Sequence, residues 1–209
     1  MTPKEFITTC DDAALESLLL DLINRGFGLS ILETVKESLN KTSYEEFAKL
    51  ICKSLNLDFS KIKNDTRSWS YITDFSKDIS NQYAALRQAL IAKDLEYNWF
   101  RYSGSNLTTT RPFCLAMTQK GFFHICEIPA ILEGKFSEFE DQIDPLYKQT
   151  GIPTGLYLST NKNNFLIYRG GYGCGHQIHP IVEKNVPVEL KTKLYQTEDY
   201  KRWKVGDSA

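Results

Sequence analysis

The residues able to do chemistry are concentrated in one stretch of this chain. Of its five cysteines, Cys114, Cys126 and Cys174 share the span 114–179 with all three histidines, His124, His176 and His179. Thiolate and imidazole together are a donor set that suits tetrahedral zinc. Cys114, Cys174 and His176 could ligate one ion, with His179 as the fourth donor and His124 or Cys126 as alternatives to it. The spacing is not that of a zinc finger. Cys174-x-His176 is tighter than the usual knuckle, and Cys114 has no C-x-x-C partner. Two other readings stay open: a reduced thiol cluster that packs as small hydrophobes, and a Cys114–Cys174 disulfide, whose geometry spacing alone does not test.

Catalytic patterns fit less well. Cys114 or Cys174 as nucleophile with His176 as base is allowed by residue type, but no sequence feature fixes an orienting carboxylate or an oxyanion site. Zinc deaminase chemistry needs H-x-E with P-C-x-x-C, and neither Pro112-Phe113-Cys114 nor His176-Gln177-Ile178 supplies it. The run Gly170-Gly171-Tyr172-Gly173-Cys174-Gly175 is neither a dinucleotide fingerprint nor a Walker loop. Its glycines suit a tight turn that presents Cys174 and His176 back toward Cys114.

The elements that must position these residues fall into an α+β plan: a helical region (1–96), a small mixed module with a β-hairpin and the Cys/His cluster (97–183), and a polar C-terminal tail (184–209). In the first region, Thr2-Pro3 signals a helix start. The crowding of Leu18, Leu19, Leu20 and Leu22 predicts a helix buried on more than one side. A second helix is expected over 29–39. Ser43 and Glu46 form a capping box for a third, whose face carries Tyr44, Phe47, Ala48, Ile51 and Leu55. Asp65 caps a longer helix with Trp69, Ile72, Ile79, Tyr83, Leu86 and Leu90 at steps of three and four, with one turn missed near Phe75. Either its neighbours or a partner chain could receive that face. Cys10 and Cys52 lie in apolar helical patterns and read as core residues.

From Tyr97 the pattern changes. YNWFRYSGSN alternates as a strand and turn, RPFCLAM suits a short helical turn, and GFFHICEI suits a strand leading toward Pro129. SEFEDQIDPLYKQTG reads as an acidic helix disturbed by Pro145. GLYLST and FLIYRG flank NKNN as a hairpin. The tail docks loosely through Tyr195, Tyr200 and Trp203.

Composition limits the function classes. Hydrophobic residues make up 42% and charged residues 24%, with 12 Phe, 11 Tyr and 3 Trp, enough apolar material for a core. A net charge of −1 gives the chain no basic field for nucleic acid. No apolar run is long enough for a membrane span, and the start lacks the pattern of a signal peptide. An odd, widely spaced set of cysteines is unlike a secreted disulfide scaffold.

The motifs YSGSNLTTTRPFC, Gly121-Phe122-Phe123, Glu127-Ile128 and GGYGCGHQIHP resemble a module of tailed-phage minor head and head-morphogenesis proteins, loosely related to the phage Mu minor head protein family. There a helical lead-in reaches a T-R-P-F-C element and closes on G-G-Y-N-C-x-H, a polar or aromatic run and a Pro. Thr110, Arg111, Pro112, Phe113 and Cys114 match the first element; Gly170, Gly171, Tyr172, Cys174, His176 and Pro180 match the second. Gly173 and Gly175 depart from it, standing where Asn and a basic or polar residue are usual. The resemblance spans roughly 97–182 and implies a virion structural protein assembled in the host cytoplasm. It implies partners among portal, capsid or neck proteins, many symmetric copies and no catalytic activity. Zinc would then act as a folding staple. A phage-borne Cys/His hydrolase or transferase, and a zinc-stabilised binding module, are the alternatives.

Overall fold

A computed structural model describes residues 3–39, 43–140, 144–169 and 174–206. The chain divides into two compact units, Met1–Leu90 and Ile91–Ala209. The division falls a few residues before the expected change at Tyr97, and residues of the tail belong to the second unit.

The first unit is helical: α1 (Pro3–Asn24), α2 (Leu29–Ser38), α3 (Tyr44–Ser54), α4 (Phe59–Asn64) and most of α5 (Thr66–Asp94). α1 is not buried on several sides. Cys10, Ala14, Leu18 and Leu22, four residues apart, form its buried stripe, while Leu20 is 53% exposed. The capping box on α3 is present: the Glu46 amide donates to Ser43 Oγ, and the Ser43 amide to Glu46 Oε2. Phe47, Ala48, Ile51 and Cys52 are the buried face of α3, whereas Tyr44 and Leu55 are exposed. Along α5, Ile72, Phe75, Ile79 and Tyr83 join this core, with Trp69, Leu86 and Leu90 packed against it. Phe75 fills the apparent gap in the stripe by packing its ring 5.2 Å from that of Phe27. Among the described residues, no helix is long and apolar enough to cross a membrane.

The second unit is built around a three-stranded antiparallel sheet in the order β2-β1-β3: β1 (Trp99–Ser103), β2 (Phe122–His124) and β3 (Gln177–Ile181). α6 (Pro112–Lys120) lies between β1 and β2 in sequence, and α7 (Ile128–Leu132), α8 (Ser137–Glu140) and α9 (Pro145–Thr150) lie between β2 and β3. Residues 141–143 of the expected acidic helix lie outside the described residues.

The expected hairpin does not form. Its described residues, 155–169, carry turns, because the asparagines of the loop bind the backbone themselves. Asn161 N–H donates to Asn164 Oδ1 (2.7 Å), Asn163 N–H to Asn161 Oδ1 (2.9 Å), and Asn164 Nδ2 to the Ser159 carbonyl (3.1 Å). What anchors this segment is Phe165, fully buried against the rings of Phe113 and Phe123, a burial that stabilises by roughly 1.5–3 kcal/mol. The strand that completes the sheet is QIHPI. Pro180 argues against a strand by itself, but β3 is an edge strand, where a missing donor is tolerated.

Alternation along the strands sorts the side chains. Phe100, Tyr102, Phe123 and Ile178 enter the main core with Phe113, Cys114, Met117 and Phe165. Trp99 and Ile181 enter a second cluster, made with Val186 and Leu194 and flanked by Tyr195 and Tyr200. The tail is thus not loosely docked. It folds as α10 (Val188–Tyr195) and α11 (Glu198–Lys204), which cover the second face of the sheet.

Candidate metal centre

α6 begins where Pro112, preset for the first helical turn, follows Arg111. That start places Cys114 in the first turn of a helix lying on the sheet. Its thiol, 2% exposed, meets the thiol of Cys174 (8% exposed) at an Sγ–Sγ distance of 3.7 Å, and no disulfide joins them. Cys174 Sγ lies 3.4 Å from Nδ1 of His176, itself 6% exposed. The ligand atoms of Cys114, Cys174 and His176 all lie within 4.8 Å of one another, so this buried group can hold a metal ion.

The distances fit a tetrahedron. Two sulfurs each about 2.3 Å from one zinc stand about 3.8 Å apart, and a sulfur and an imidazole nitrogen about 3.6 Å apart. The observed separations, 3.7 Å and 3.4 Å, are close to both.

Neighbours fix the imidazole. His176 Nε2 faces Asn106 Oδ1 at 3.3 Å, an acceptor that suits the tautomer with its proton on Nε2 when Nδ1 gives its lone pair to a metal. Asn106 is held in turn by Nδ2 donating to Thr118 Oγ1 on α6 (3.0 Å). The ring lies against Tyr102 with centroids 5.5 Å apart. The backbone of Gly104 also runs close to it, where a Cβ would fall 2.8 Å from His176 Cγ. Any side chain at 104 would push the imidazole away.

The two thiols differ electrostatically. The Cys174 thiol is held well below its ordinary pKa by the hydrogen bond from Cys114, helped by His176. Cys114 is driven upward as the partner that keeps its proton, with burial adding to the effect. A low thiolate on one sulfur is the state a metal needs.

The alternative fourth donors do not come to this place. His179 pairs with Arg101 across the sheet, one residue out of phase with Ile178 and Tyr102, so strand alternation turns it to the opposite face. Burial and the cations of Arg169 and Arg101 lower its pKa. His124 and Cys126 form a separate pair, Nδ1 to Sγ 3.1 Å, beside Trp99, Tyr200 and Trp203. Burial pushes the Cys126 thiol up to about 12 and the His124 imidazole down to about 4. Residues 170–173, the glycine turn expected to present Cys174, lie outside the described residues.

Tyr102, Gly104, Asn106 and Arg169 were not singled out as site residues by sequence. The alternation of WFRYS, which puts Tyr102 on the same face as Phe100, was the available signal for the first of them. The chain matches no family model, no curated protein and no solved structure.

Proposed function

We propose that Cys114, Cys174 and His176 bind zinc as a structural clasp, and that the protein is a structural component of a tailed-phage virion, a minor head, portal-proximal or neck protein. The observation that carries the clasp is convergence. Two thiols and an imidazole, sixty residues apart in sequence, meet in a buried site at tetrahedral spacing. A buried site of this kind suits folding rather than turnover, because a catalytic zinc needs a path for substrate to reach it. Metal-binding free energy then becomes folding free energy for a unit made of short elements. The virion assignment is supported by the motif resemblance. Its two halves, TRPFC and C-x-H, supply these same donors.

An enzyme is the second reading, and one observation favours it. Cys174 Sγ, His176 Nδ1 and Asn106 Oδ1 line up in the order of a Cys-His-Asn nucleophile constellation. Against it, Cys174 is buried, and Cys114 and Tyr102 crowd its sulfur at 3.7 and 3.8 Å, where a substrate would have to approach.

Two measurements test the proposal. Mass spectrometry of purified particles should find the chain as a stoichiometric component, and its absence would remove the virion role. Chelation should make the segment 91–209 sensitive to protease. Full resistance after the metal is stripped would remove the clasp.

A further inference from the structure

The three donors leave one corner of the tetrahedron to fill. Tyr102 Oη lies 3.4 Å from Cys114 Sγ and 3.8 Å from Cys174 Sγ, bridging the two sulfurs in the same buried space. An oxygen ligand about 2.0 Å from zinc stands about 3.5 Å from a sulfur about 2.3 Å from the same ion. The hydroxyl is therefore placed, relative to both sulfurs, where a fourth ligand belongs. Tyr102 is 2% exposed and sits on the central strand between its two partners, so its position is set by the sheet rather than by a mobile loop.

A second, independent observation concerns charge. Arg169 is 5% exposed, and its guanidinium donates to the Ile167 carbonyl (3.0 Å) and to Gln177 Oε1 (2.8 Å). Among the described residues its Nε has no hydrogen-bond partner and no carboxylate pairs with it. Burial lowers its pKa, and only negative charge on Tyr102 or Cys174 works against that loss of its cationic form. A divalent ion with two thiolates and a neutral imidazole is electrically neutral, and leaves this buried cation uncompensated. Adding one anionic ligand gives the centre a single negative charge, which Arg169 cancels. Buried charges persist where they are balanced in this way.

Resting on the metal reading above, we propose that Tyr102 is the fourth ligand of the centre, bound through its phenolate oxygen, with Arg169 as its charge counterpart. The phenol proton passes to solvent as the metal–oxygen bond forms. All four corners are then protein groups, and the centre has no position for substrate.

The test uses cobalt(II) in place of zinc in the full-length protein, since its visible bands report coordination. Wild-type protein should give four-coordinate bands that added azide leaves unchanged, together with the near-ultraviolet absorbance of a tyrosinate. Tyr102→Phe should bind cobalt at least about 10-fold more weakly, with altered bands that shift on adding azide, because a water now occupies the vacated corner. Arg169→Met should weaken binding while leaving the bands in place. Identical bands in wild type and Tyr102→Phe, or a wild type that responds to azide, would overturn the assignment and leave the three-donor centre standing. Failure of the wild type to bind cobalt would overturn both. Should Tyr102→Phe not fold, the tyrosinate band of the wild type decides: its absence on cobalt loading refutes the ligand.

Discussion

The sheet of the second unit carries a cysteine–histidine pair on each of its faces, and the two pairs are near mirror images in sequence. Cys174-x-His176 points into the main core and His124-x-Cys126 into the cluster covered by α10 and α11. Each sets a thiol against an imidazole Nδ1, at 3.4 and 3.1 Å. Their chemistry diverges because of what else is present. Cys174 has a tyrosine hydroxyl and a second thiol beside it, and the hydrogen bond from that thiol, with His176 adding to it, lowers its pKa. Cys126 has apolar surroundings and the carboxylates of Glu127 and Asp199, and its pKa rises to about 12. A thiol near an imidazole is therefore not a metal site by itself. The convergence of further donors gives a group that can hold an ion, and the solitary pair serves as packing and as a cap, with the Cys126 amide donating to His124 Nδ1 at 3.2 Å.

That contrast can be broken by mutation, most strongly at the sulfurs. Cys174→Ser should destabilise the second unit by about 4 kcal/mol or more, the range reached when a structural metal is lost. Thermal or denaturant unfolding followed by aromatic circular dichroism would measure it, and a loss as small as that of a surface substitution would deny the clasp. Next in size is Gly104→Ala. Its methyl would displace the His176 ring and weaken zinc binding by roughly 10–100-fold, as read by competition with a chromophoric chelator. Unchanged affinity would mean that the imidazole is not a ligand.

The opposite face should respond to pH. The His124 imidazole titrates near 4 in the fold because burial disfavours its charge, an effect that Glu183 only partly offsets. The unfolded chain takes up that proton first. Stability is thus full above about pH 6.5 and is lost as pH falls toward 4, with a slope of at most about 1.4 kcal/mol per pH unit. His124→Asn keeps an acceptor for the Cys126 amide and should flatten this part of the profile, whereas equal slopes in the two proteins would contradict it. Smallest of all, Cys126→Ser should change stability by no more than about 1 kcal/mol. A larger drop in a melting experiment would show that the pair does more than pack.

How much of this was legible in sequence depended on the range of the interaction. The Ser43–Glu46 box and the α5 stripe are local, repeating patterns, and both appear in the fold. The Cys/His concentration was visible, and so was the identity of Cys114, Cys174 and His176 as its core. Exclusion of His179 needed the phase of a strand that Pro180 had disguised. The failed hairpin turned on asparagine side chains that outcompete a strand ladder for the backbone. Tyr102, Asn106 and Gly104 gain their roles from contacts about seventy residues away, made only once β1 and β3 pair. The helices of the tail are short and polar, and what holds them is the aromatic cluster of Tyr195, Tyr200 and Trp203 around His124.

The central claim is that one face of the sheet holds metal and the other does not. Metal content of the purified protein, measured with a titration of accessible thiols, tests it most directly. The wild type should carry one zinc per chain, with Cys114 and Cys174 protected until chelator is added. Cys126→Ser should keep the metal, and Cys174→Ser should lose it. A metal-free wild type prepared without chelator and in the presence of zinc, or zinc that survives Cys174→Ser, would contradict the account.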